Sequence, residues 1–307
     1  MTGRIELEPA PSGQEAGRRR ATAGLGSTKL LPYWLILPTV VYVGAFFAWP
    51  MSRALTLAFR DEDTWTLEFF RTMIGDANFT GAFWFTLLLL VVIIPIQFLV
   101  ALAMALLVNS RLRARGLFLY IYALPLAISE LAAGIVWFAI FTEQGYLNTV
   151  LGGLGLQERP FIWLDFRRPE LLVMAVVLAE VWRATSLIMI ILVAGLQGIA
   201  RDYLEAAEVF GAGLFKRVWK VILPMLKPSL QVALILRTIL AFQVFATVIA
   251  ITGRGATVLT AEAWRWQTSF LNPNVAAAYA AVILLLSLGS TAIILGAIRT
   301  PPEQRLV

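Results

Sequence analysis

Four ionisable side chains, Glu130, Glu180, Arg183 and Arg237, fall inside long apolar stretches. Charge at the middle of a membrane costs at least ~2.5–3.5 kcal/mol on insertion scales, so such residues face protein or water. Glu180 and Arg183 are one helical turn apart, and two acids with two bases can neutralise one another. Three uses are open to them. They can line a polar path for a solute, lock helices together as buried ion pairs, or carry protons. Thr238, Gln243 and Thr247 near Arg237, with Thr185 and Ser186 near Arg183, extend the polar set. Each of these is also common glue between packed helices. Arg237 and Gln243 lead the candidates for a path.

Other chemistry is excluded by composition. The 307 residues include no Cys and no His, which removes thiol catalysis, disulfides, Cys/His zinc sites and imidazole acid–base work. No metal site is expected. Gly24-Leu-Gly-Ser-Thr-Lys lacks the spacing of a phosphate-binding loop, so the chain has no ATP site of that kind. No paired Asp lies in the apolar stretches to serve a membrane hydrolase. An enzyme is not expected, and any ATP hydrolysis falls to a partner.

The elements that must position these residues are membrane helices. Hydrophobic residues make up 59% of the chain and charged ones 14%, against ~45–50% and ~25% in soluble domains. Residues 30–52, 77–110 and 266–298 carry no charge, and 116–142, 171–200 and 228–253 carry at most two each. A crossing takes ~20 apolar residues, so each segment suffices for one. The expectation is an all-α integral membrane protein with six transmembrane helices over 30–298. Pro32, Pro38, Pro50, Pro95 and Pro125 each break an interior hydrogen bond, and irregular membrane backbone often lines a cavity.

Charge asymmetry sets the direction. Residues 1–29, 111–115, 197–229 and 299–307 together hold 15 Lys+Arg and 7 Asp+Glu. The alternate stretches 52–80, 142–170 and 254–274 hold 8 and 10. Positive residues stay inside, so both termini and the 197–229 loop are expected to be cytoplasmic. The net charge of +6 is therefore an orientation signal and not a nucleic-acid signal. The 1–29 segment reads as a flexible cytoplasmic tail, with Arg18, Arg19 and Arg20 anchoring the first helix from inside. Residues 299–307 read as a cytoplasmic C-terminal tail.

The 198–228 loop has a helical period of its own. Leu204, Ala207 and Phe210–Gly211 share one face, and Leu214, Val218 and Val221 another. Asp202 is placed to cap the first short helix, Gly211 and Gly213 to end it, and Pro224 to stop the second. Phe210, Phe215 and Trp219 then lie exposed beside Lys216, Arg217 and Lys220. Such an element suits either the inner leaflet or a partner's groove.

Glu205-Ala206-Ala207, Gly211-Ala212 and Ile222-Leu223-Pro224, with Pro228 following, resemble the signature loop of permease subunits of binding-protein-dependent ABC importers. Glu180-Val181-Trp182-Arg183, Ala194-Gly195-Leu196-Gln197, Leu236-Arg237-Thr238, Phe242, Phe245 and Thr252-Gly253 also match. Within that group the chain is similar to the sugar-uptake branch and to the maltose/trehalose-type first permease subunit, over roughly residues 30–300. It departs at Phe210, where the family usually has Asp, at Ala200, usually Pro, and near Ser186, commonly Pro.

The resemblance implies a type I ABC importer permease fold and half of a translocation path for a sugar or oligosaccharide. Its partners would be cytoplasmic ATPase subunits holding ATP and Mg, a second homologous permease, an extracytoplasmic sugar-binding protein and membrane lipid. Glu205, Ala206, Ala207, Gly211, Ala212, Leu223 and Pro224 are carried over as the ATPase-coupling loop. Glu130, Glu180, Arg183, Arg237, Thr238 and Gln243 would line the substrate path through hydroxyl hydrogen bonds. The rival is a proton- or sodium-coupled carrier using Glu130 and Glu180, and a third reading is a lipid-surface scaffold. In the outer 254–274 loop, Trp264, Trp266, Phe270 and Asn272 suit a membrane belt, sugar stacking or a docked binding protein.

Overall fold

The computed structural model describes residues 31–62, 64–109, 115–253 and 255–298. The 1–29 tail with Arg18–Arg20, most of the 111–115 turn and the 299–307 tail lie outside the described residues. Two compact units divide the chain, residues 1–54 and 55–307.

The first apolar run is helical from α1 (Leu31–Val43) through a wide π turn (Gly44–Ala48) into α2 (Trp49–Leu57). Pro38 lies inside α1, and Pro50 is the second residue after the π turn. Pro50 has no N–H to donate, and the wider turn absorbs the missing bond. Residues 32–54 expose their side chains.

The second unit opens with a two-residue hairpin, β1 (Arg60–Asp61) against β2 (Thr64–Trp65), and a short helix α3 (Glu68–Gly75). Next comes α4 (Phe79–Asn109), which runs straight through Pro95. The third expected span is α5 (Arg115–Ala123), a 3-10 turn (Leu124–Ala127) and α6 (Glu130–Phe141), followed by α7 (Tyr146–Gly153). Helix α8 (Pro169–Gln197) leads to the loop helices α9 (Arg201–Val209) and α10 (Leu214–Met225). Helix α11 (Lys227–Phe242), α12 (Ala246–Thr252), α13 (Leu259–Thr268) and α14 (Pro273–Ala297) complete the described chain.

Six straight crossings are not what forms. Among the described residues, four continuous helices are long and apolar enough to span: Pro32–Leu57, Phe79–Asn109, Pro169–Gln197 and Pro273–Ala297. The count reaches six only with two bent pairs, Arg115–Ala127 with Glu130–Gly153 at 98° and Leu214–Met225 with Lys227–Phe242 at 73°. Pro125 explains the first bend, because it stands in the 3-10 turn without an N–H. Ser129 then starts a new helix by accepting the Ala132 N–H at 3.2 Å. The 228–253 segment also divides, at Gln243–Phe245 between α11 and α12. The last span begins at Pro273 rather than 266, since Asn272 caps it by accepting the Val275 N–H at 3.1 Å.

Helix α8 is the axis of the unit. One apolar cluster gathers Leu89, Ile93, Val176, Ala179, Val244 and Val248 along its first half. A second gathers Ala101, Ala105, Ile188, Leu192, Ile222 and Leu226 along its second half. Glu180, Arg183, Gln97 and Arg237 fall between the two in sequence on their own helices. The fold is a polar layer between two apolar ones.

Gly134 lets α12 lie against α6. A Cβ there would stand 2.7 Å from the Ala250 Cβ and 3.0 Å from the Thr247 Cα, and backbone cannot yield as a side chain can. Gly134→Ala is expected to destabilise by about 1–3 kcal/mol, the usual range for overpacking. Gly289→Ala, where nothing lies within 4 Å, should be neutral or slightly stabilising. Thermal unfolding of both variants in detergent checks the difference.

Candidate functional site

The polar layer is built around one carboxylate. Glu180 is fully buried on α8, and its Oε2 accepts from Arg237 Nη2 at 3.1 Å. Its Oε1 accepts from Thr247 Oγ1 at 2.9 Å and from Arg183 Nη2 at 3.3 Å. Arg237 is 1% exposed and spends its Nε–H on Gln97 Oε1 at 2.5 Å. Gln97 closes the ring by donating Nε2–H to the Glu180 carbonyl at 2.8 Å. Two arginines, one carboxylate, an amide and a hydroxyl thus join α4, α8, α11 and α12. The desolvation of each charge is offset by partners, as a buried pair requires.

Glu130 does separate work. It stands in the first turn of α6, and its Oε1 accepts the Phe245 N–H at 2.7 Å and the Thr247 N–H at 3.3 Å. Those are donors at the start of α12, whose own cap residue Phe245 has no side-chain acceptor. A carboxylate from another helix therefore caps the second half of the broken span, where a negative charge also meets the favourable end of the helix dipole. Thr247 Oγ1 lies 3.3 Å from the Glu130 carbonyl as well, so the cap and the ion cluster share a member.

The remaining path candidates divide. Thr238 is buried and Gln243 is exposed at the end of α11. Thr185 and Ser186 bond backbone, to the Val181 carbonyl and to the Tyr122 carbonyl at 2.6 Å, and act as packing groups. Of the six path residues, Glu180, Arg183 and Arg237 are drawn into one ion cluster and Glu130 into a cap. Gln97 was missed because it is neutral. The signal was there, since it is the lone polar side chain in 87–108.

The loop is a helix–turn–helix. Gly211 has φ +71 and ends α9 in a Schellman turn, with Ala212 N–H to the Ala207 carbonyl and Gly211 N–H to the Glu208 carbonyl, both 2.9 Å. Glu205, Ala206 and Gly211 are exposed, and Ala207 and Ala212 half-buried. These five sit together on α9 and its turn. Leu223 and Pro224 belong to another element, the last turn of α10, next to the 73° bend.

Three local expectations are corrected. Asp202 does not cap α9. Ala200 holds that position without a side-chain acceptor, and Asp202 lies in the first turn. Gly213 has an ordinary φ of −61 and starts the next helix. Pro224 does not itself end α10, which runs one residue further to Met225, and the π turn over Val218–Ile222 just before it accommodates a residue that has no N–H to donate. Phe210, at the end of α9, is 87% exposed, as expected for it with Phe215 and Trp219.

Leu204, Val218, Ile222 and Leu226 pack with Leu192, Leu196 and Ile199, and Arg217 ion-pairs with Glu208. The two loop helices are thus fastened to each other and to the end of α8. A cavity of about 770 Å³ lies beside them, lined by Arg115, Gln197, Arg201, Glu205, Glu208 and Arg217 among others.

On the opposite side, the Asp76 carboxylate gathers Arg265 Nη2 at 2.8 Å, Trp266 Nε1–H at 2.8 Å and the Tyr279 hydroxyl at 3.3 Å. Burial pushes its pKa up, but the Asn78 and Trp266 N–H donors and the Arg265 charge outweigh that and hold it below the ordinary value. Trp266 is therefore a structural residue of α13, while Trp264 stays exposed, its ring 5.9 Å from that of Phe245. Asn148, which no sequence signal marked, organises the 142–163 segment. It donates to the Glu143 and Phe161 carbonyls at 2.9 and 2.8 Å and accepts from Trp163 Nε1 at 3.0 Å.

Residues 97–299 match the family described as the binding-protein-dependent transport system inner membrane component. The chain is 32% identical over 286 residues to the sulfoquinovosyl glycerol transport system permease protein of Agrobacterium fabrum, covering 89% of this chain and 91% of that one. It is 28% identical to the sn-glycerol-3-phosphate transport system permease protein of the same organism, covering 84% and 90%. A shorter stretch of 133 residues is 39% identical to the trehalose/maltose transport system permease protein of Thermococcus litoralis, covering 43% and 44%. Among solved structures, a bacterial ABC transporter involved in the import of the acidic polysaccharide alginate superposes with a TM-score of 0.74 at 21% identity, covering 88% of this chain and 95% of that one.

This chain belongs to the family of binding-protein-dependent transport system inner membrane components. It is an all-α permease subunit of the type I ABC importer fold, a transporter component of the inner membrane and not an enzyme. Family membership overturns the proton- or sodium-coupled carrier. The geometry agrees, because the Glu180 carboxylate is held between two arginines and Glu130 is spent on backbone N–H groups.

Stranding the buried carboxylate tests the cluster. Arg237→Met alone is expected to cost about 3–5 kcal/mol, because Glu180 loses its buried partner. Adding Glu180→Gln should restore part of that loss, since the fully buried carboxylate is gone, the hydrogen-bond acceptor remains, and the charge left in the cluster, Arg183, is 19% exposed. A double-mutant cycle on unfolding in detergent measures it.

Proposed function

We propose that this chain forms half of the translocation path of an ATP-driven importer of a sugar or oligosaccharide. In this reading, cytoplasmic ATPase subunits bind ATP and Mg, and a second homologous permease completes the path. An extracytoplasmic binding protein delivers the substrate. The substrate class rests on relatives whose names give sulfoquinovosyl glycerol, sn-glycerol-3-phosphate and trehalose/maltose. All are rich in hydroxyls. Arg237 is buried against Glu180, so its charge is spent within the protein and is not offered to a substrate.

One observation carries the coupling role: α9 presents Glu205 and Ala206 to solvent while its other side is fastened to α8 and α10. A partner that grips α9 moves the second apolar layer with it. Glu205 offers charge to the ATPase, Ala206 and Ala207 permit close approach, and Gly211 with Ala212 makes the turn. Leu223 and Pro224 shape the bend through which α10 passes the displacement to α11. The orientation follows from the Lys+Arg excess, with 198–228 and both termini cytoplasmic and 30–298 forming one permease domain between two tails.

For the substrate path, Gln243 is the leading contact, since it is exposed where the fifth span breaks. Glu130, Glu180, Arg183 and Arg237 hold that break in shape, with Thr238 packed behind it. In the transport cycle, ATP closes the ATPase dimer, α9 is displaced, and the spans reopen outward. Only differential binding of the two states drives such a shift.

Co-purification from the native membrane tests the coupling. Tagged wild-type chain should bring down an ATPase whose activity is measurable, and the Glu205→Ala, Gly211→Pro variant should lose it. Wild type that comes down with no ATPase contradicts the reading.

A further inference from the structure

The coupling role uses α9 and leaves the outward face of α10 without a task. That face has two strips. Phe215 and Trp219 are 76% and 59% exposed, with ring centroids 6.0 Å apart. Lys216 and Lys220, one position further round, are exposed and make no ion pair among the described residues. The inward face is occupied: Arg217 pairs with Glu208, and Val218 and Ile222 pack into the second apolar layer.

Direction supplies the second observation. Helix α10 runs into a membrane span through a 73° bend, so it lies nearly across the direction of that span. Taken as the approach to α11 and α12 rather than as half of a bent crossing, a helix turned across its span lies along the membrane surface. Aromatic rings prefer the headgroup level, and lysine stems reach from there to anionic groups. We propose that the outward face of α10 is an interfacial anchor that seats Phe215 and Trp219 in the inner leaflet and holds anionic phospholipid headgroups with Lys216 and Lys220. This rests on the cytoplasmic placement of the 198–228 loop. The anchor fixes one end of the lever, so that displacement of α9 turns α10 about the membrane surface instead of lifting the whole loop away.

The absence of native cysteine makes the test clean. The assembled transporter, carrying Trp219→Cys or Glu205→Cys labelled with an environment-sensitive fluorophore, is reconstituted into vesicles. These contain either brominated phosphatidylglycerol or the same fraction of brominated phosphatidylcholine. The label at 219 should be quenched by both lipids and more strongly by the anionic one. Lys216→Gln with Lys220→Gln should remove that excess, each lysine near an anionic surface being worth about fivefold in lipid association. The label at 205 should escape lipid quenching and be shielded by the ATPase. A label at 219 that is shielded only by the ATPase, or is quenched equally by the two lipids, overturns the proposal. Lipid quenching at both 219 and 205 supports the anchor and sinks the coupling role of α9. ATPase activity of the complex labelled at 219 checks its integrity.

Discussion

A carboxylate in the middle of a membrane protein must be neutralised, and the rest of this fold is arranged around doing so. Glu180 is fully buried, with Arg237, Arg183 and Thr247 on its two oxygens. Gln97 then satisfies both the second donor of Arg237 and the backbone carbonyl of Glu180. Because these partners come from four different helices, their relative depth and rotation are fixed by one polar layer. Apolar packing above and below it is non-directional and could not set that register alone. Each unmade bond in such a place is expensive, so the arrangement is close to all-or-none.

The same layer explains why the fifth span is broken and still ordered. Ending α11 at Phe242 and restarting at Ala246 leaves backbone donors that lipid cannot satisfy. Glu130 satisfies two of them from another helix, and Gly134 one turn further on allows the approach. Gln243 is left exposed at the break. At the other end of α11, the bend at Leu226 joins it to α10 and so to the loop. In the proposed importer, the lever and the path are two ends of one helix, held at its middle by Arg237.

Much of this was legible in the sequence because membrane helices write themselves in uncharged runs. The charged exceptions stood out in those runs, and Glu130, Glu180, Arg183 and Arg237 all belong to the polar layer or its cap. Their partners were not legible. A ring closed by Gln97 depends on which faces of distant helices meet, and periodicity in one helix does not report that. The Schellman turn at Gly211 followed from local rules, as did the second loop helix. The bends at Pro125 and Leu226 were less visible, since Pro95 is tolerated within an unbroken α4 and proline alone does not decide where a helix turns. Asn148 shows the limit most plainly, being one short polar residue among many in its loop until six groups are seen to converge on it.

The most direct test of the lever is whether the break in the fifth span answers to nucleotide on the partner. Gln243→Cys supplies the single thiol of the chain, and a membrane-impermeant thiol reagent added outside vesicles of the assembled transporter reads its exposure. The expected result is protection without nucleotide and rapid labelling when the ATPase is held in its ATP-bound state. Labelling that ignores nucleotide and follows an imposed proton gradient would contradict the coupling of loop to path.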